Sequence, residues 1–546
     1  MKKTAALLTA LCLIITSFSS CALFDNGTEK NLYYPVYSDT ASFDPQIAND
    51  EVSKIIAENC FEGLVKYDSS GKIVPAVAKS WDVSSDGLTY TFHLDPQAKW
   101  HIGDEALEVL KEYSSSAFNG KVLAEDFVFG LRRYFDPETH AQADSRLYLI
   151  ENASDVAIGA KPLSELGISA TDSETLQIKL ESPCDTFLSA LTTGATMPCR
   201  EEFFLATKGR YGLSTQYIIC NGAFYLSYHA DDSFVQLSKN SDFKNADEVC
   251  PSNVYLYINS SQKQRLNKFE TGVYDVCPVN IEGKRKINDK KFSFVSYVNS
   301  VWAFCFNCSG NVFSATEIRG AVCRSIDTND LPIPDYASGY ADGFIPDICM
   351  IGDKTYRSLA GVTAGLKYEP EMSRDMFEQG LKKLGVSNAS ITLLCPADLE
   401  DGMRKLVQNW QKNMGMALKI KIEPLSVEEI DERIANDDFD VAFTCISTPY
   451  ASAADFLASF TQSGNYRTFN YTSLNYEDSV KEASYAFNAD DMAKKCQKAE
   501  QMLLQNAVVY PVFDEESYLA LGENVSGVYL NQAGTIPVFA NGKRVD

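Results

Sequence analysis

Four histidines, His93, His101, His140 and His229, and one closely spaced thiol pair, Cys305-Phe-Asn-Cys308, are the first side chains to test for chemistry in this chain. A structural zinc site needs four nitrogen or sulfur ligands, and no second cysteine pair of this spacing is present. Val301-Trp302-Ala303-Phe304 also reads as a strand, which turns the two thiols toward opposite faces. No histidine has a recognisable partner spacing, and His93 lies in an alternating run that gives it a structural role. Gly-x-Ser-x-Gly, His-Glu-x-x-His, Gly-x-x-x-x-Gly-Lys and Gly-x-Gly-x-x-Gly are all missing. Paired carboxylates such as Asp437-Asp438 and Asp490-Asp491 carry little information in so acidic a chain. These residues predict no enzyme, no cofactor and no bound metal.

The elements around them are mixed. Asn31–Tyr37 is strand-like, and Glu51–Cys60 has helical spacing. In Thr89–Leu94, Tyr90, Phe92 and Leu94 share one face of a strand fed by the Asp86-Gly87 turn. A helix is predicted from Leu123 to Tyr134, with a helical insertion over Asp104–Asn119. Further helices are predicted over 262–270, 315–326, 371–384, 402–414 and 426–436, with strands over 390–395, 418–422 and 439–445. Ser426-Val-Glu-Glu429 fits a capping box. Residues 483–504 read as helical with a break near Asp490-Asp491, and Ala507–Phe513 as a strand.

The chain is too long for one core, so two lobes or three interlaced domains are expected. Lys2-Lys3, the apolar run from Ala5 to Ile15 and the small residues before Cys21 read as an export signal, too short to be a stable span. Cys21 is similar to the acceptor of a bacterial lipobox, with Phe18 where Leu is usual, so lipidation is expected at Cys21 and an extracytoplasmic, membrane-anchored location follows. Losing Lys2 and Lys3 takes the net charge from −24 to −26, a surface that repels nucleic acid. The thirteen cysteines beyond Cys21 are scattered singly, unlike a short disulfide scaffold, and read mostly as free buried thiols.

Several ordered segments resemble one family. They are Ser42-Phe-Asp-Pro45 with Asn59-Cys-Phe-Glu-Gly-Leu-Val65; Pro75-Ala-Val-Ala-Lys-Ser-Trp81 with Asp86–Leu94 and Trp100; and Ala124-Glu-Asp-Phe127. Asn221-Gly222, Phe269-Glu-Thr-Gly272 with Asp275, Glu317-Ile-Arg-Gly-Ala321 with Asp327, Trp410–Gly415 and Asp438-Phe-Asp440 continue the series. On these residues the chain is identified as a member of the family 5 extracellular solute-binding proteins, the oligopeptide-, dipeptide- and nickel-binding receptors of bacterial ABC importers.

The resemblance implies an α/β, two-lobed periplasmic-binding-protein-like fold of class II type, with an extra domain and hinge strands between the lobes. The expected division is a signal peptide over 1–20 and a tether over 21–30. Domain I is expected over 31–60, 175–275 and 505–546, domain II over 61–174, and domain III over 276–504. The implied partners are a peptide or other small solute and the permease subunits of an importer, with the receptor itself a monomer. The missing His-rich cluster argues against nickel or haem.

In peptide-binding members an aspartate in a Gly-Trp-x-x-Asp-Tyr segment pairs with the ligand amine. Here the segment reads Cys445-Ile-Ser-Thr-Pro-Tyr450, which puts Pro449 in the aspartate's place. Asp455 is a substitute anchor or, on the plainer reading, a helix-capping residue. Asn49, Asp50 and Glu51 begin a helix whose N-terminus holds ligand or is simply favoured by acids. Trp302 and Phe304 face the cleft or belong to the core. Ile446, Ser447, Thr448 and Tyr450 form the lobe-two loop, and Arg146 is a candidate on the domain II wall. The lost aspartate leaves open a receptor for a sugar or small polar solute, or a signalling or adhesive lipoprotein that reuses the fold.

Overall fold

The computed structural model describes residues 30–113, 118–141, 144–287, 290–309, 312–328, 331, 334, 336–448, 451–531 and 535–544. Two sheets build the first lobe. One runs in the order Asn31–Val36, Asn253–Ile258, Phe234–Lys239, Phe224–Ala230, its first pair parallel and the others antiparallel. Leu32, Tyr34, Val36, Val235, Leu237, Val254 and Leu256 point inward at alternate positions. Tyr33, Phe234, Tyr255 and Tyr257 line the other face as cross-strand aromatic pairs.

The second sheet is antiparallel, in the order Ala78–Val83, Thr89–Leu94, Thr175–Lys179, Ile168–Asp172. Strand Thr175–Lys179 pairs with Thr89–His93, in one sheet with residues 78–94. Helix Ala124–Phe135 lies against this sheet, and the two sheets share one hydrophobic core.

The residues of the family signature prove to be the framework of this lobe. Asp126 accepts from Trp100 Nε1 and the Leu123 amide, both at 2.9 Å, and is paired with Arg200 at 2.8 Å. Burial nevertheless pushes its carboxyl up to about 6, against the pull of Arg200 and these donors. Asp44 caps the turn at Pro45–Ile47 and pairs with buried Arg133. Asn59 holds two distant backbone groups: its amide donates to Pro537 O at 2.9 Å, and its oxygen accepts from Phe539 N at 3.0 Å. Asn221-Gly222 makes a close backbone approach to the end of helix Glu51–Cys60. It runs beside residues 60–62, and a Cβ on Gly222 would lie 2.6 Å from the Cys60 carbonyl carbon.

The second lobe is built on a mixed sheet in the order Val276–Asn280, Val509–Leu521, Ser293–Phe306, Val441–Ser447, Ala389–Pro396, Leu418–Leu425, with Ala337–Tyr340 added beside Val509–Leu521. Both faces are covered, so its strands carry apolar residues on both sides. Val301, Ala303 and Cys305 face one core with helices Ala453–Ala458, Leu474–Ser484 and Ala489–Gln505. Trp302, Phe304 and Phe306 face another with helices Thr316–Arg324, Pro370–Leu384 and Glu400–Met414. The predicted capping box is present: Ser426 accepts from Glu429 N at 3.2 Å, and Glu429 accepts from Ser426 N at 2.9 Å. The predicted break at Asp490-Asp491 falls earlier, at 485–488. Asn488 caps the following helix, and the two aspartates occupy its first turn, where the dipole favours them.

Strands Ser293–Phe306 and Val509–Leu521 are long because they serve both lobes. They pair from Ser293 with Leu521 to Cys305 with Val509. Val295, Leu519 and Leu521 contribute to the first lobe's core, whereas Val301 and Val509 belong to the second. The register slips between Val298 and Ser300, leaving Asn299 out of the ladder where the lobes meet. The strand predicted to stop at Phe513 therefore continues through Asp514-Glu515-Glu516-Ser517, a polar stretch inside a structural hinge.

Candidate functional site

The slipped register at Asn299 gathers groups from both lobes. Its carbonyl accepts from Thr448 N at 3.1 Å, and Ser300 pairs with Ser447. Strand Val441–Ser447 thus delivers Ser447 and Thr448 to the hinge; Ser447 is exposed and Thr448 half-buried. Two residues before Asn299, burial pushes the Tyr297 phenol up, with the charge of Glu51 from the first lobe adding to the shift.

Helix Glu51–Cys60 begins at the same boundary. Asp50 is its cap: it accepts from Ser53 N at 2.9 Å and from the Thr40 hydroxyl at 2.7 Å. Those bonds commit Asp50 to the fold. Glu51 accepts from Tyr37 N at 3.0 Å and keeps solvent access. Desolvation by the surrounding protein pushes its carboxyl up, with neighbouring Asp50 adding to the shift and Arg265 opposing it. Asn49 is exposed on the approach to the helix.

Three of the candidate ligand residues are buried: Ile446, together with Trp302 and Phe304, for which cleft and core were both open readings. Phe304 is 0% exposed, packed on Trp410 and Phe443 with ring centroids 5.8 and 4.7 Å away. Ile446 is buried on the opposite face of the same sheet. Trp302 is buried against Tyr336 and Phe443, and its indole N–H donates to Glu515 at 2.8 Å. The reason is the doubly covered sheet: alternate residues of Ser293–Phe306 and Val441–Ser447 are both claimed by helices. Pro449, Tyr450 and Cys21 lie outside the described residues.

Arg146 and Asp455, 309 positions apart in the sequence, meet across the lobes. Arg146 holds Asp144 of its own lobe through Nε at 2.9 Å and Nη2 at 2.6 Å, and its Nε also lies 3.4 Å from Asp455 Oδ2. Arg146 retains 12% and Asp455 6% of side-chain exposure, so the pair is largely shielded from water. Asp455 lies in the first turn of helix Ala453–Ala458, but Ser452 is the residue that caps it. Nearby, Tyr67 OH donates to Gly352 O at 3.1 Å and Asp185 N to Phe487 O at 3.0 Å, further contacts between the lobes.

Sequence reasoning missed the acidic run 514–516. Asp514 sits opposite Val301, just past the slipped register. Burial pushes its carboxyl up to about 7, with Asp347 and Asp342 adding to the shift and Arg357 opposing it. Glu515 binds Trp302 and lies 3.4 Å from the Cys445 thiol. The available signal was three consecutive acids in the middle of an otherwise apolar strand. Among the described residues, no group of three or more histidine, cysteine or acidic side chains has a metal-binding arrangement. His93, His101 and His229 are each engaged with an aspartate, Asp82, Asp242 and Asp39.

Two lobes joined by shared strands, with a polar boundary between them, are an architecture that comparison with known proteins can test. Residues 72–468 match the family "Bacterial extracellular solute-binding proteins, family 5 Middle". The chain belongs to that family. The family 5 protein is 24% identical over 531 residues to the dipeptide-binding protein of Lactococcus lactis subsp. cremoris, covering 93% of each chain. It is also 24% identical over 521 residues to the periplasmic oligopeptide-binding protein OppA of Haemophilus influenzae, again covering 93% of each. Among solved structures, Listeria monocytogenes OppA bound to peptide superposes with a TM-score of 0.73 at 22% identity, over 95% of this chain and all of that one. Haemophilus influenzae OppA in complex with RPPGFSPFR gives 0.74 at 22% identity, over 96% of this chain and all of that one. The fold of this family 5 protein is therefore that of the peptide-binding receptors, a family of substrate-binding proteins and not of enzymes. Its family is extracellular or periplasmic, and no described helix is long and apolar enough to cross a membrane.

Proposed function

We propose that this protein is the lipid-anchored receptor of an ABC importer, capturing peptides between its lobes and delivering them to a membrane permease. The observation that carries this reading is the pairing of Arg146 with Asp455 across lobes that share two continuous hinge strands. Such an arrangement permits closure around a cargo, and the closed form is what a permease distinguishes from the open one. The relatives' printed names, dipeptide- and oligopeptide-binding proteins, support peptides as the cargo class. Anchoring through Cys21, work outside the cytoplasm as a monomer, and the division into domains I, II and III are part of the same reading, with residues 175–179 moved to domain II.

Asp455 is engaged by Arg146, so the ligand's amine needs another partner. Glu51 and Asp514 fit that role. Both carboxyls are pushed up chiefly by desolvation, and a ligand ammonium would offset that cost by favouring the charged form. Ser447 and Thr448 offer polar groups to the peptide backbone.

The test is native mass spectrometry of protein purified from a peptide-rich culture, followed by titration with one tripeptide in free-amine and N-acetylated forms. A bound mass that fragments into amino-acid residues is expected. Glu51→Gln or Asp514→Asn should weaken the free-amine peptide more than the acetylated one. A carbohydrate mass would replace the ligand class, and equal losses for both peptides would remove Glu51 and Asp514 from the amine site. Replacing Cys21 by Ala should release the protein from the membrane fraction.

A further inference from the structure

The thirteen described cysteines beyond residue 21 all stand as thiols. Several meet oxygen atoms: Cys184 meets the Thr186 hydroxyl at 3.2 Å, Cys308 the Phe306 carbonyl at 3.6 Å and Cys445 the Glu515 carboxylate at 3.4 Å. Cys60 is different, because its own backbone carbonyl is hydrogen-bonded to the segment that carries Cys220.

The backbone brings the two together. Cys60 ends helix Glu51–Cys60, and the chain beyond it is stitched to residues 220–222. Gly222 N donates to Cys60 O at 2.9 Å, Asn221 Nδ2 to Glu62 O at 2.8 Å, and Glu62 N to Asn221 Oδ1 at 3.1 Å. Gly222 has no Cβ, and one placed there would strike Cys60 and Phe61, so the close approach depends on that glycine. Cys220 is fixed from its other side by mutual backbone hydrogen bonds with His101, at 2.7 and 3.3 Å. Both cysteines are buried, 0% and 2% exposed, within the first lobe's core. Cys220 also borders a cavity of about 390 Å³ lined by His101, Ile219 and Tyr225.

We propose that Cys60 and Cys220 form a disulfide in the exported protein, fastening the end of helix Glu51–Cys60 to the segment at 218–222. In forming it, two S–H bonds break and one S–S bond forms. The two protons and two electrons pass to a disulfide oxidant, whose own S–S bond breaks to give two thiols. Burial and the neighbouring thiol hold the Cys60 proton tightly, so the thiolate that starts the exchange is disfavoured in the folded state. The bond therefore forms while the lobe is still folding. It closes a loop of roughly 160 residues, among the longer loops for which cross-linking restricts the unfolded chain most. The bond depends on an oxidising compartment, and hence on export.

The test does not depend on export. Full-length protein made under reducing conditions is unfolded in urea, refolded in a mixture of reduced and oxidised glutathione, alkylated and peptide-mapped. The expected result is a peptide joined through Cys60 and Cys220, lighter than its two parts by two hydrogens and abolished by reductant. The oxidised protein should also melt several degrees above the reduced protein. Cys60→Ser and Cys220→Ser should each remove both effects; if either fails to fold, the wild-type map and its two melting curves decide. Alkyl label on both cysteines after oxidative refolding, linkage of either to a different cysteine, or linkage with no rise in melting overturns the proposal. Failure here leaves the receptor reading intact, because no step in ligand capture uses these thiols.

Discussion

Replacing Asp455 by Asn should open the lobes. In the native protein Arg146 Nε lies 3.4 Å from Asp455 and is held at the same time by Asp144, at 2.9 and 2.6 Å. At an effective dielectric of about 20, Coulomb attraction over that distance is about 5 kcal/mol. The competing claim of Asp144 on the same guanidinium and the dehydration of Asp455 reduce this to about 2 kcal/mol net. Because Asp144 remains, the substitution leaves no orphaned cation in the first lobe, and the loss falls on the contact made only when the lobes meet. About 2 kcal/mol is about a 30-fold fall in the closed-to-open ratio. Where the closed form is the minor one before ligand arrives, apparent affinity falls by the same factor. The assay is single-molecule energy transfer between fluorophores at exposed Ile158 and Met416, one on each lobe, alongside a peptide titration. The doubly substituted Arg146→Gln/Asp455→Asn protein should lose no more closure than Arg146→Gln alone. An unchanged closed fraction and an unchanged affinity in Asp455→Asn would refute the reasoning.

Other predictions follow from the same structure. Phe304→Ala should cost about 3–5 kcal/mol of unfolding free energy by urea titration, with peptide affinity per folded molecule unchanged, since Phe304 is core and not cleft. Gly222→Ala should lose about 1–3 kcal/mol, because the new methyl meets backbone at 2.6 Å; wild-type stability would contradict the close-approach account. Asp514 has a folded carboxyl near 7, above its unfolded value of about 3.9, so the folded state binds the extra proton. Its contribution is full below about pH 4 and is lost as pH rises through about 7. Thermal unfolding of Asp514→Asn across that window should show a flatter pH profile than wild type, and parallel profiles would count against it.

Much of the second lobe was legible because each of its strands and helices presents a clear period. Helix 370–384 and strand 418–425 are found where the spacing put them, give or take the end residues. The family segments were legible too, although what they mark is framework: Asp126, Trp100 and Asp44 are locked into one another or into buried arginines. The sheet of residues 224–258 escaped because Tyr228, Phe234, Tyr255 and Tyr257 put aromatic bulk on its outer face, which hides the period of two. The hinge strand Val509–Leu521 was cut short because polar residues at 514–517 look like a loop end and are a strand crossing between cores. Trp302 and Phe304 could not be sorted between cleft and core by pattern, since a sheet covered on both faces is apolar at every position. The meeting of Arg146 with Asp455 has no local signature at all.

The clasp of Asn59 on Pro537 and Phe539 bears on how such a chain can be exported. A polypeptide that crosses a membrane with its N-terminus leading presents the first lobe's opening helix early and the residues that complete that lobe last. Phe539 is fully buried in the same core as Val52 and Ile56, and Cys250 N is bonded to Ala540 O at 2.8 Å. The first lobe therefore cannot close its core while the chain is still threading, whereas the second lobe, encoded entirely between its two ends, has all its strands in hand sooner. Folding order is thereby tied to completion of passage: a chain stalled or clipped before residue 536 would carry a finished second lobe and an unfinished first one, an open apolar surface that extracytoplasmic proteases can recognise.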